Sequence, residues 1–413
     1  MGETREAGGL GHGGRERDYR LFLVASILIG LGSCVNASAF NNYLKDVFQL
    51  DVARRTFLEF PRELPGFLVS LFVGVLAAMG ELRIAMVANV LASAGMLALG
   101  WIPSSFILMV SATFVYSAGT HIYMPLANSI GMGFAEDGGE GKVLGRINAS
   151  MTTAVVIGSA ILLALLKFAH PGYAAVFSAG AVFYAGAAVA LLLMRPRRHV
   201  LPHRKFVLRR EYGRYYLIST FFGARKQLFI TFGPWMLVAY FGQGVEVMTL
   251  LFFVISVAGI VVGPLVGKLT DRFGPRAVLG GEALLIVFVC LAYAFAPVFL
   301  PVGAALVVVS ACYVIDQSSN AVSMSRAVFV KRIALSPDEI APTLSLGISI
   351  DHAISMFLPM LGGLAFAAGG AASAAKGEAV GSGYKWVFIG GAVISALNFV
   401  VTRGMPREKP REA

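Results

Sequence analysis

The chain has 413 residues, of which 57% are hydrophobic and only 14% charged, with a mean hydropathy of +0.74. A soluble domain carries roughly 25% charged residues, so a soluble globular protein is excluded. The net charge of +11 fits either a nucleic-acid surface or one face of a membrane protein, and its placement along the chain decides between them.

Residues 1–18 are rich in glycine and charge and are expected to be disordered. They lack the apolar core and cleavage site of a signal peptide, so the first apolar run is expected to be a retained span. Twelve such runs follow, at about 20–44, 57–80, 82–101, 104–131, 143–168, 171–194, 212–241, 245–268, 275–297, 299–327, 340–368 and 382–403. Each suffices for the ~20 residues of helix that cross a bilayer, and none has the short alternation of a membrane strand. The fold class expected is therefore all-α and integral to the membrane, with twelve transmembrane helices. Cys34, Cys290 and Cys312 lie inside apolar runs and read as small buried hydrophobes, not as a disulfide framework.

With odd-numbered spans running outward, 25 of the 34 basic residues fall on one side and seven on the other, while Arg225 and Lys226 lie inside a span. The positive-inside rule then puts both termini in the cytoplasm of a plasma (inner) membrane protein. No nucleic-acid patch is needed to explain the charge.

Gly267-Lys268-Leu269-Thr270-Asp271-Arg272-Phe273-Gly274-Pro275-Arg276 is a charged, glycine-punctuated segment between the eighth and ninth runs. Its pattern, G-x-L-x-D-R-x-G-x-R, resembles the cytoplasmic loop signature of the major facilitator superfamily of secondary transporters. That resemblance implies two pseudo-symmetric six-helix halves. They are expected at 19–194 and 212–403, with a basic linker at 195–211 and a tail at 404–413. It also gives Gly267, Asp271, Arg272, Gly274 and Arg276 a conformational role, with Asp271 pairing with an Arg or capping the next helix. The matching stretch in the first half, Gly74–Arg83, has Ala78 where the family usually has Asp. The fifth run lacks the Gly-Pro motif frequent in drug–proton antiporters of this family, and Pro359, Gly362 and Gly363 in the eleventh echo it only in part. No substrate-defined subfamily is matched.

Ionisable residues at membrane depth cost at least ~2.5–3.5 kcal/mol, so they face partners or a watery cavity. Arg225 and Lys226 in the seventh run, Asp316 and Gln317 in the tenth, and Asp351 with His352 in the eleventh lie at comparable depth. Two readings stand: a solute or proton site, or a structural ion pair locking three helices. In the first half, Asn36 offers a donor and an acceptor at mid-depth, and His121 lies in the fourth run. Glu59, Arg62 and Glu63 open the second run among Pro61 and Pro65, as a gate, a proton site or a solvated helix end. The expected solute contacts are thus Asn36, His121, Arg225, Lys226, Asp316, Gln317 and Asp351, and the proton carriers Glu59, Glu63, Asp316 and Asp351. Gly223, Gly233, Pro234, Pro125 and Pro359 are expected to interrupt their helices.

These residues point to a secondary active transporter of a small organic solute, anionic or zwitterionic, coupled to protons and acting as a monomer among membrane lipids. A non-transporting receptor or scaffold on the same fold is the rival, and within transporters a drug or metabolite exporter. No nucleophile–base pair, metal-ligand spacing or phosphate loop is present, so neither enzyme activity, a metal nor a cofactor is expected.

Overall fold

The computed structural model describes residues 12–76, 79–101, 105–135, 140–195, 208–336, 339–374 and 383–406. The described residues are helical throughout, with no strand among them. The first half consists of α1 (His12–Asp46), three short helices α2 (Val52–Phe57), α3 (Glu59–Phe67) and α4 (Val69–Leu76), then α5 (Glu81–Trp101), α6 (Phe106–Met132), α7 (Glu140–Ala169) and α8 (Tyr173–Leu192). The second half consists of α9 (Gly213–Trp235), α10 (Val245–Phe299), α11 (Val302–Ser319), α12 (Ser323–Ile333), α13 (Ile340–Ala374) and α14 (Gly383–Arg403). Nine helical stretches are long and apolar enough to cross a membrane. The other three crossings are hidden by local sequence. Helix α10 is 55 residues, or roughly 80 Å at helical rise against a ~30 Å hydrocarbon core, and so contains two crossings. Helices α2–α4 form one crossing in three pieces, and α9 carries charges that lower its hydropathy.

The fragmentation of the second crossing follows from its prolines. Pro61 has no N–H to give to Phe57, and the helix breaks next to that carbonyl, at Leu58. Pro65 likewise has no N–H to give to the Pro61 carbonyl, and α3 ends three residues later, at Leu68. Pro125 and Pro359, by contrast, lie inside continuous α6 and α13, and α9 runs unbroken past Gly223. The expected interruptions are absent there because neighbouring helices hold the backbone. Only beyond Pro234 does α9 change, widening into one π turn, Met236–Tyr240.

Helix α1 begins at His12, so residues 12–18, expected to be disordered, are helical. Residues 1–11, most of the expected linker (196–207) and the tail from 407 lie outside the described residues.

The signature segment differs from the expected loop. Its two helices meet directly at Gly274, whose φ of 79° and ψ of 159° bend α10 without a separating turn. Asp271 and Arg272 are exposed on the helix before the bend, and no ion pair or cap involving Asp271 occurs among the described residues. The first half has its counterpart in Gly80, with φ of 80°. Matching these two glycines shifts the register of the two halves by one residue from that read in the sequence.

Cores of aromatic and small residues hold each bundle. Helix α9 is the most enclosed, with Phe229, Phe232 and Trp235 fully buried. Helices α5 and α6 touch backbone to backbone at Gly95 and Gly119, where any Cβ would overlap the facing main chain.

Candidate functional site

Two charge networks occupy the interior. The first lies within the second half. Arg225, at mid-length on α9, donates to Asp316 of α11 at 2.5 Å and to Glu282 of α10 at 2.6 Å. Gln317 donates to the other Asp316 oxygen at 3.0 Å. At the next position, about 100° around the helix axis, Lys226 reaches Asp351 of α13 at 2.7 Å instead of extending toward the membrane surface. Gly223 allows this: a Cβ there would lie 2.7 Å from the Asp351 carboxylate.

The second network joins the two halves. Glu59 of α3 is fully buried and accepts from Arg55 of α2, from Arg62 of its own helix and, at 2.7 Å, from Gln227 of α9. Arg62 also pairs with Glu63 at 2.9 Å, and the other oxygen of Glu63 accepts from His352 of α13 at 2.9 Å. The His352 ring stands edge-on to His121 of α6, centroids 4.9 Å apart. Arg55 donates to Asn41 at 3.2 Å and lies over Trp235. Farther along, Asn42 of α1 donates to the Gln243 carbonyl at 2.9 Å. Gly66 lets α3 approach the imidazoles, since a Cβ there would come within 2.6 Å of His121.

The solvated-end reading of Glu59 and Glu63 is thus overturned, because both are buried between the halves. Arg55 and Arg62 likewise belong to the interior and not to an outer surface. Donor atoms of Glu63, His121 and His352 lie within 4.8 Å of one another, a grouping that no linear spacing reveals because three helices supply it. Arg62 already neutralises the carboxylate, so the cluster is a hydrogen-bonded relay more than a cation site.

Of the sequence-derived residues, the structure brings together Arg225, Asp316 and Gln317, separately Lys226 and Asp351, and separately Glu59, Glu63 and His121. Asn36 on α1 joins none of these networks, and its side-chain oxygen has no partner. Gly267, Asp271, Arg272, Gly274 and Arg276 lie apart, around the bend of α10. Sequence reasoning missed Glu282, Gln227 and Arg326. Glu282 carried a usable signal, a carboxylate inside an apolar run. Arg326, at the end of the tenth apolar run and counted among the basic residues of the inner side, lies on α12 with its guanidinium carbon 3.7 Å over the Phe222 ring.

Every inter-half hydrogen bond made by a side chain among the described residues lies in this second network or at Asn42–Gln243. The two bundles are therefore latched from mid-depth, at Gln227 and His352, to the end where α1 and α9 finish. At the other end, where α9 begins and α12 and α14 finish, no such bond crosses between the described residues. Twelve crossings in two bundles, with charged residues at mid-depth, are the architecture in which secondary transporters are built. Residues 63–335 match the family model of the Major Facilitator Superfamily, and the chain belongs to that family. Among solved structures, the fold is similar to the nucleoside transporter NupG (TM-score 0.72, 12% identity, 94% of this chain and 100% of that one). It is also similar to a bacterial homologue of the human lysosomal transporter Spinster in an inward-facing, occupied state (0.71, 16%, 95% and 97%). A third is the xylose transporter XylE from E. coli (0.65, 13%, 97% and 100%). A search of curated protein sequences finds no match.

The chain is thus a multi-pass integral membrane protein and a secondary transporter, and like its family it acts on small-molecule solutes.

Proposed function

We propose that this transporter moves a small polar organic solute by alternating access coupled to protons, and that the conformation described is closed on the outer side. The observation that carries this reading is the one-sided latch. The positive-inside asymmetry supports the orientation. It becomes sharper once the buried Arg55 and the half-buried Arg62 and Arg326 are set aside, with 24 basic residues on the inner side against five outside. Both termini are then cytoplasmic, in the plasma membrane, and the monomer is the working unit.

Glu63 is the proton carrier that fits best. Its two oxygens bond to Arg62 in one half and His352 in the other, so a proton on Glu63 weakens both bonds at once and loosens the latch. Glu59 is held by two arginines and a glutamine and serves the latch itself. Arg225 is spent on two carboxylates and Lys226 on a third, so these five groups form a scaffold of the second bundle and the solute contacts lie elsewhere.

The test uses purified protein in vesicles with spin labels at Lys45 and Glu246, on opposite halves near the latched end. The expected result is a short label distance at rest and a second, longer population when an inward proton gradient is imposed. The longer population should be lost in Glu63→Gln. A single unchanging distance under all conditions would overturn the reading.

A further inference from the structure

We propose that Arg326 binds the solute and that the solute carries a carboxylate or a comparable compact oxyanion. This rests on the transporter reading and adds the substrate class to it.

Among the described residues, Arg326 makes no ion pair and no hydrogen bond, and its Nε is buried without a partner. The other arginines at depth are all committed: Arg55 and Arg62 to Glu59, Arg225 to Glu282 and Asp316. The charged groups nearest to Arg326 are Asp351, Arg225 and Glu282. None of the carboxylates among them is free to pair with it. Asp351 is held by Lys226 at 2.7 Å and Glu282 by Arg225 at 2.6 Å. An intramembrane arginine keeps its charge, so a half-buried guanidinium whose Nε is sealed from solvent without a partner is costly unless something else completes it.

Its geometry suits a ligand. The guanidinium lies 3.7 Å over one aromatic side chain, Phe222, and Arg225 lies 4.8 Å from the same ring. Stacking fixes the plane of a guanidinium while leaving its in-plane N–H groups free, the arrangement that forks a carboxylate or phosphate. Phe222 is buried and cannot turn away.

The position suits entry from the unlatched end. Arg326 is seven residues inside the end of α12, about 10 Å at helical rise, on the side where no side-chain hydrogen bond joins the halves. The helix is also broken immediately before it, at the 3-10 turn Asn320–Val322. There Ser318 Oγ and Asn320 Oδ1 are likewise buried without partners. Irregular backbone at membrane depth is tolerated where it is buried in protein or lines a cavity, and unpaired polar atoms beside it are open to a solute. The Arg326 donors supply the charge, and the Ser318 and Asn320 groups are polar contacts for the rest of the solute.

The test is thermal stabilisation and equilibrium binding on the full-length protein in detergent. The probes are sodium benzoate, sodium succinate and inorganic phosphate, each against sodium chloride at equal ionic strength. At least one of the three should raise the melting temperature of the wild type in a saturable way. Arg326→Gln should raise the Kd for that anion at least tenfold, with Arg326→Lys in between because it keeps the charge and loses the fork. Phe222→Leu should weaken binding less than Arg326→Gln does. If Arg326→Gln does not fold, the Arg326→Lys and Phe222→Leu comparison carries the test alone. An unchanged Kd in the folded variants, or no binding of any of the three anions to the wild type, overturns the assignment. Opening of the latch under a proton gradient in protein that binds none of these anions would reject the anion site while leaving the transporter reading intact.

Discussion

Arg225 holds two carboxylates, and that number governs what its loss does. Arg225→Met leaves Glu282 and Asp316 facing each other without a counter-charge, and breaking a buried pair costs about 3–5 kcal/mol. Adding Asp316→Asn should recover part of the lost melting temperature, and only the further change Glu282→Gln should recover most of it. Thermal unfolding of the four proteins in one detergent checks this. Full recovery in the double variant would mean that Glu282 is not a partner. The members of this triad were unequally legible. Arg225 and Asp316 stand out as charges inside apolar runs, and their comparable depth suggested a meeting. Glu282 stands out by the same rule, but which face of α10 it occupies depends on packing that no single run encodes. Arg326 was hidden for another reason: it sits where the tenth apolar run fades, and only the fold shows that α12 continues inside the bundle.

At the scale of elements, length and apolarity gave the twelve crossings, because a membrane helix has to satisfy its own backbone. They did not give the breaks. Pro61 fragments its helix and Pro359 does not, although both look alike in the sequence, and the difference lies in what surrounds each backbone. The bend of α10 at Gly274 was legible as a glycine in a signature segment, but the absence of a turn was not. Its φ and ψ lie in a region that is essentially glycine-only. Gly274→Ala should therefore cost about 1–3 kcal/mol and change the angle between the two parts of α10. A lowered melting temperature together with altered protease access near Phe273 would show it, and an unchanged melting temperature would argue that the bend relaxes freely. Gly119 makes a sharper case. A side chain there strikes the main chain of α5, which cannot swing aside as a side chain would. Gly119→Val should separate α5 from α6 and reduce the yield of folded protein, whereas Gly259→Val, at an open position on α10, should not.

For the whole molecule, the side-chain hydrogen bonds between the bundles among the described residues run from mid-depth to one end, so the balance between states rests on few bonds. Among the described residues, the side-chain hydrogen bonds that cross between halves are Gln227 to Glu59, His352 to Glu63 and Asn42 to Gln243. Two of them end on carboxylates, and a hydrogen bond to a charged group contributes about 1.5–3 kcal/mol. Gln227→Ala removes one such bond and leaves Glu59 still held by Arg55 and Arg62, so the bundle should fold normally. The latched state alone should lose stability, because in the opened state Gln227 and Glu59 are already apart. A difference of this size shifts a two-state population by roughly tenfold or more. The distance distribution between labels at Lys45 and Glu246 should accordingly move toward the longer population in Gln227→Ala without any gradient. His352→Gln should act in the same direction and also blunt the response to the proton gradient, since it removes the partner through which Glu63 reaches the second half. Gln227→Ala, by contrast, should open the latch and leave that response in place. If the two variants behave alike, with the proton response either kept or lost in both, then the His352–Glu63 bond is simply one more clasp. The coupling would then belong to another carboxylate, Asp316 or Asp351.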